Sequence, residues 1–99
     1  MGAPIDRIIG ELRSLILEAA PEPEQARPVL DCAADESLDA VIPFSSLIVL
    51  GTIVAVEDHF GVRVSRAAWD RLGQGAPTLR RLAAMIQSLL DEPETRLGP

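Results

Sequence analysis

Apolar residues recur at helical spacing near the start of the chain. Each lies three or four residues from another member of the set, and charged residues fall at other positions: Ile5, Ile8, Ile9, Leu12, Leu15, Ile16 and Ala19. This spacing places them on one face of a helix, so it predicts an amphipathic first helix from Ile5 to Ala20. Pro21 marks its end, and the three prolines within residues 21–28 predict a loop.

The middle of the chain divides into an irregular stretch and an apolar one. From Val29 to Pro43 we expect a long connection with a helical turn beginning near Asp35, anchored by Leu30, Leu38, Val41 and Ile42. The apolar run from Ser46 to Phe60 is rich in β-branched residues, which also suit a buried strand. It is longer than an ordinary strand and no second strand is available to pair with it. We therefore predict a second helix, ended by Gly61.

Two further helices complete an all-α prediction. After an extended piece at residues 62–64, Ser65 is expected to begin a short helix reaching Leu72, followed by a turn at residues 73–77. Thr78 is the predicted N-cap of a last helix from Leu79 to Leu90. Residues 1–90 then form one domain, with residues 91–99 as a flexible tail. Core positions are expected to include Leu12, Ile53, Leu82 and Met85, with Trp69 as an anchor.

Composition and charge exclude several classes of function. The chain has 99 residues, enough for one core, and its net charge of −6 opposes binding to nucleic-acid phosphates. All nine basic residues are Arg, and one His, one Cys and no Tyr leave no set for catalysis or metal binding. We expect Cys32 to be a small buried hydrophobe and His59 to be solvated. No export signal or membrane-spanning run is found, so a cytoplasmic protein is expected.

The remaining chemical candidate is the pair Ser45-Ser46, directly before the most apolar helix. A serine in this position is most often only an N-cap. The alternative is that Ser46 carries a phosphate ester, which would lie at the positive end of the helix dipole.

The surrounding sequence favours the alternative. Ser46-Leu47 opens the helix, Glu57-Asp58-His59 precedes Phe60 and Gly-Val-Arg-Val, and Thr78 leads the last helix. In this register the chain resembles the acyl carrier protein family from Leu38 to Leu90, with Ile42 at the family's apolar position four residues before the modified serine. The resemblance implies a four-helix bundle with a short helix III and a long loop between helices I and II, and a 4'-phosphopantetheine on Ser46. It also implies a monomer served by a phosphopantetheinyl transferase and by acyl- or aminoacyl-loading and transfer enzymes.

Departures from the family pattern concern the partner surface. Ser45 stands where the family usually has Asp, and Ile48 and Gly51 stand where fatty-acid carriers present acids. We therefore expect an apolar partner surface and a specialised carrier, closer to those of secondary metabolism or of aminoacyl and peptidyl transfer. The residues expected at this surface are Ser45, Leu47, Ile48, Leu50, Gly51, Val54, Glu57 and Asp58.

Two alternatives remain open at this point. Ser37, in Glu-Ser-Leu-Asp, is locally more similar to the carrier motif, but Pro43 would then fall inside the helix that it begins. A different class of function is a helical interaction module without a prosthetic group, which would bind a protein through Ile48, Val49, Leu50 and Val54.

Overall fold

The computed structural model describes residues 4–43, 45–72 and 77–91. These residues form six α-helices and one 3-10 helix, and no strand is found among them. The elements are α1 (Ile5–Ala19), α2 (Pro23–Ala26), the 3-10 helix (Arg27–Leu30), α3 (Leu38–Val41), α4 (Ser46–Phe60), α5 (Arg66–Asp70) and α6 (Leu79–Asp91). The all-α prediction is thus confirmed. No helix in these ranges has the length and apolar character needed to cross a membrane.

Helix α1 is the central element of the fold. It packs against both α4 and α6, and also against α2 and the 3-10 helix. Its predicted apolar face is buried: Ile8, Ile9, Leu12, Leu15 and Ile16. The opposing face of α6 is buried as well, so the core positions predicted at Leu12 and Leu82 are confirmed.

The segment predicted as a loop after α1 is largely helical. Pro23 begins α2, because a proline at the first helical position has no N–H to lose and already has a helical φ. Ala26 and Val29 are buried against the rest of the core. Leu30 was expected as an anchor, but it is 38% exposed and the neighbouring Val29 takes that role.

Helix α4 has the predicted bounds, but one of its faces was assigned wrongly. Gly61 ends it in the left-handed conformation at φ 66°, which glycine adopts without steric cost. The residues that α4 buries are Ile48, Thr52 and Val56, four residues apart, whereas Ile53 is only half-buried. Because α4 is apolar around most of its circumference, its sequence does not specify which face meets α1.

Capping residues set the starts of the last two helices. The Ser65 Oγ accepts a hydrogen bond from Ala68 N at 3.1 Å, and the Thr78 Oγ1 accepts one from Arg81 N at 3.1 Å. Both starts agree with the predictions, although α5 is shorter than expected. Asp91 belongs to α6 rather than to the tail. The predicted turn at residues 73–76 and the tail at 92–99 lie outside the described residues.

The start of α6 is tied to the connection that leads into α3. Leu38 N donates to Pro77 O and Arg80 N donates to Ala34 O, each at 3.0 Å. The Arg80 Nε also lies 2.7 Å from Asp35 Oδ1, and this hydrogen bond raises the pKa of the Arg80 guanidinium. These contacts hold residues 34–38 in place even though little of that stretch is helical.

Candidate functional site

The start of α4 separates the roles of the two adjacent serines. Ser45 has an extended backbone, and its Oγ accepts a hydrogen bond from Ile48 N at 3.4 Å. Its carbonyl oxygen accepts the first intrahelical bond, from Val49 N at 2.9 Å. Ser45 is therefore the N-cap, and Ser46 is the exposed first residue of the helix. The Ser46 hydroxyl makes no hydrogen bond within the described part of the chain.

The electrostatics of this helix start suit an anion. The amides of Ser46 and Leu47 precede the first intrahelical hydrogen bond, so they belong to the group of N–H donors that a helix leaves unpaired at its start. The first turn of α4 contains no acidic side chain that would compete for them. A phosphodiester on the Ser46 Oγ would meet the positive end of the helix dipole there, so the residues present fit a phosphopantetheine.

An apolar stripe runs along α4 from Ser46. It consists of Leu47, Leu50 and Val54, which are 62%, 61% and 57% exposed, respectively. Their spacing of three and four residues puts them on one face, together with the exposed Asp58. Exposed large apolar side chains that lie together on one helix face are typical of a surface that binds a protein or a ligand.

Two residues expected at the partner surface lie elsewhere. Ile48 is 3% exposed and belongs to the core. Gly51 faces α1, and a Cβ built on it would lie 3.2 Å from the Cβ of Ala19. Neither position can present a side chain to a partner, because α1 packs against this side of α4. The exposed face of α4 is nevertheless apolar, because Leu47, Leu50 and Val54 lie on it.

The acidic end of α4 is partly engaged in contacts within the protein. The Glu57 Oε2 accepts a hydrogen bond from Val64 N at 2.9 Å, and Glu57 is half-buried. The exposed His59 has its Nε2 at 3.3 Å from Glu11 Oε1 on α1, so this residue is solvated as predicted and also links two helices. Of the two acids expected at the partner surface, Asp58 is the exposed one.

Cys32 is not a buried apolar residue as predicted. It is half-buried, and Arg13 Nη1 lies 3.7 Å from its Sγ. The same Arg13 nitrogen donates to the carbonyl oxygens of Val29 at 2.7 Å and Cys32 at 2.8 Å. Nothing in the sequence indicates this role of Arg13, because its acceptors are backbone atoms distant along the chain. Trp69 is half-buried and packs against the core, as expected for an anchor. Met85, predicted as a core residue, is only half-buried and packs against the core from outside.

Ser37 occupies a different kind of helix start. It precedes α3, and its Oγ donates to Asp39 Oδ1 at 2.6 Å. The helix that follows has only four residues and ends at Val41, before Pro43. Ser37 therefore lacks the long helix that Ser46 has. Among the described residues, no group of three or more His, Cys, Asp and Glu side chains is placed to hold a metal ion.

No known protein family, curated protein or solved structure matches this chain.

Proposed function

We propose that this protein is a carrier of the acyl-carrier type, with a 4'-phosphopantetheine attached to Ser46. The observation that carries the proposal is that the two serines at the start of α4 have different roles. Ser45 caps the helix, and the Ser46 hydroxyl beside it is exposed. A transferase needs access to such a hydroxyl. When bound, the phosphopantetheine supplies a thiol on a flexible arm, which holds an acyl or aminoacyl group as a thioester.

The arrangement of helices supports the same proposal. Two long helices, α4 and α6, each pack on α1, and the short α5 lies between them along the chain. This order agrees with the four-helix bundle that the resemblance implies, in which α1, α4, α5 and α6 correspond to helices I to IV. The protein contributes position and recognition and catalyses no reaction itself.

The apolar stripe supports a specialised partner set. Carriers that use acidic residues on this helix are steered to basic patches on their enzymes, because charge complementarity governs association rates and partner choice. Here Leu47, Leu50 and Val54 occupy the exposed face instead. We therefore expect loading and transfer enzymes of a specialised biosynthetic pathway, with an apolar docking surface, rather than those of fatty-acid elongation.

A second candidate function rests on the same stripe. The three exposed side chains would also suit a helical interaction module that binds a protein partner and carries no prosthetic group. In that case Ser46 would have no role beyond the first turn of α4.

Intact mass distinguishes the two functions. The full chain is incubated with coenzyme A, Mg²⁺ and a broad-specificity phosphopantetheinyl transferase, and we expect it to gain one phosphopantetheine. Ser46→Ala should abolish the gain, while Ser37→Ala and Ser14→Ala should retain it. A wild-type chain that gains no mass, or a Ser46→Ala variant that does, would overturn the carrier proposal.

Ser45→Ala provides a second control at the same helix start. It removes the cap but leaves the Ser46 hydroxyl, so it should cost about 1 kcal/mol of stability, the usual cost of losing an N-cap side chain. Its expected mass gain equals that of the wild type.

A further inference from the structure

A cleft lies between α5 and α6, on residues that the proposed carrier function does not use. Its volume is about 340 Å³, which falls at the lower end of the range for small-molecule sites. Most of its wall is apolar, and the side chains that form this part are Ala68, Leu72, Ala84, Met85 and Leu89.

Two arginines line the same cleft, Arg71 beside α5 and Arg81 on α6. No acidic side chain is among the described residues that line it, although the whole chain has 15 acids against nine arginines. The nearest acid in sequence, Asp70, has its Oδ2 at 4.0 Å from Arg66 Nε. As far as the described residues line it, the cleft therefore carries positive charge, opposite in sign to the protein's net charge.

Arg81 is held at this position by the backbone beside the cleft. Its Nη1 donates a hydrogen bond to Leu72 O at 2.9 Å. A guanidinium has five N–H donors in a planar fork, so the remaining donors can still bind a carboxylate through two parallel hydrogen bonds. Fixing the fork in advance lowers the entropy that is lost when a ligand binds.

We propose that this cleft binds a small amphipathic carboxylate. Its carboxylate would pair with Arg71 and Arg81, and its apolar body would lie against Leu72, Met85 and Leu89. An arylalkanoate suits the cleft best, because a methionine sulfur makes favourable contacts with aromatic rings and its side chain adapts to their shape. This inference does not depend on Ser46.

The test is a backbone-amide NMR titration of the full chain with 4-phenylbutyrate and with its neutral analogue, 4-phenylbutanamide. We expect saturable shifts at residues 68–72 and 81–89 with the acid, and at least about tenfold weaker binding of the amide, which loses the charge-assisted hydrogen bonds. The proposal is overturned if the acid gives no saturable shift there at millimolar concentration, or if the two compounds bind equally.

Two pairs of variants locate the ligand. Ala84 is exposed and lines the cleft, so Ala84→Trp should abolish binding, while Ala67→Trp, at an exposed site on α5 outside the lining, should retain it. Arg71→Gln should weaken binding about tenfold, while Arg63→Gln, also exposed but outside the lining, should not.

Both arginine variants are surface changes, so the test remains decisive even if a tryptophan variant fails to fold. Wild-type affinity in Arg71→Gln or Ala84→Trp would place the ligand elsewhere and overturn the proposal. Ser46→Ala should bind 4-phenylbutyrate with wild-type affinity. Binding at the cleft can therefore be confirmed or overturned independently of the carrier proposal, which depends on Ser46.

Discussion

The carboxylate of Glu57 on α4 binds the backbone of Val64, with Oε2 accepting from Val64 N at 2.9 Å. This contact spans the left-handed turn at Gly61 and holds the following extended segment against the end of α4. The neighbouring Val62 is fully buried, so the segment contributes to the core. Glu57, which the sequence predicts at the partner surface, therefore stabilises the connection between α4 and α5.

Glu57→Ala should lower the free energy of unfolding by about 1 to 2 kcal/mol, because a hydrogen bond to a charged group is lost at a half-buried site. Asp58→Ala is the matched control: its side chain is exposed, and the change should stay within about 0.5 kcal/mol. Urea unfolding of both variants measures the difference. Equal effects would contradict the structural role of Glu57.

Thr52 is the buried polar residue of α4, at 1% exposure, and its Oγ1 has no hydrogen-bond partner among the described residues. Thr52→Val keeps the shape and removes the unpaired hydroxyl, so it should raise the free energy of unfolding by about 1 kcal/mol or more. Thr52→Ser keeps the hydroxyl, removes a methyl group and should destabilise the protein by about 1 kcal/mol. Chemical denaturation is again the measurement, and a destabilised Thr52→Val would show that the hydroxyl is needed.

Two helical glycines differ in the space around them. A Cβ at Gly10 would meet nothing within 4 Å, whereas one at Gly51 would lie 3.2 Å from Ala19 Cβ. Gly10→Ala should therefore stabilise the protein by about 0.5 to 1 kcal/mol through helix propensity. Gly51→Ala should give a smaller gain or a loss, because α1 must shift to admit the methyl group. Thermal midpoints compare the two, and an equal or larger gain at Gly51 would contradict the close approach of α1 and α4.

An acidic substitution should destabilise the protein on the buried face of α4 and have little effect on its exposed face. Ile48→Asp places a carboxylate in the core and should cost at least about 2 to 5 kcal/mol, the range for truncating a buried isoleucine. Leu50→Asp changes an exposed residue and should stay within about 0.5 kcal/mol of the wild type. Circular dichroism during urea unfolding checks both. A folded, stable Ile48→Asp would mean that Ile48 lies on the surface.

Leu50→Asp, which is expected to remain stable, also tests the choice of partner enzymes. Holo wild type and holo Leu50→Asp are compared as substrates of a malonyl transferase from fatty-acid synthesis across a salt series. We expect poor acylation of the wild type and an improvement in Leu50→Asp that disappears at high ionic strength, because added salt screens exposed charges. Efficient, steeply salt-sensitive acylation of the wild type would contradict the specialised carrier.

The sequence by itself determined the three long helices and the Thr78 cap at the start of α6. The stripe of α1, the run of α4 and the Thr78-led α6 each carry a local signal, because periodicity and capping act over a few neighbouring residues. Gly61 as the end of α4 and a serine cap from the pair Ser45-Ser46 were predicted for the same reason, and the structure assigns the cap to Ser45.

The tertiary structure decided which side of each element meets the core. Helix α4 is apolar nearly all round, so only its packing on α1 could bury Thr52 rather than Ile53 and leave Leu50 exposed. The helical turns at residues 23–30 were missed because three prolines usually indicate a loop, and burial of Val29 against α1 outweighs that local preference. Arg71 and Arg81 line the same cleft between α5 and α6 although they are ten residues apart along the chain. No local sequence pattern could therefore reveal the cleft.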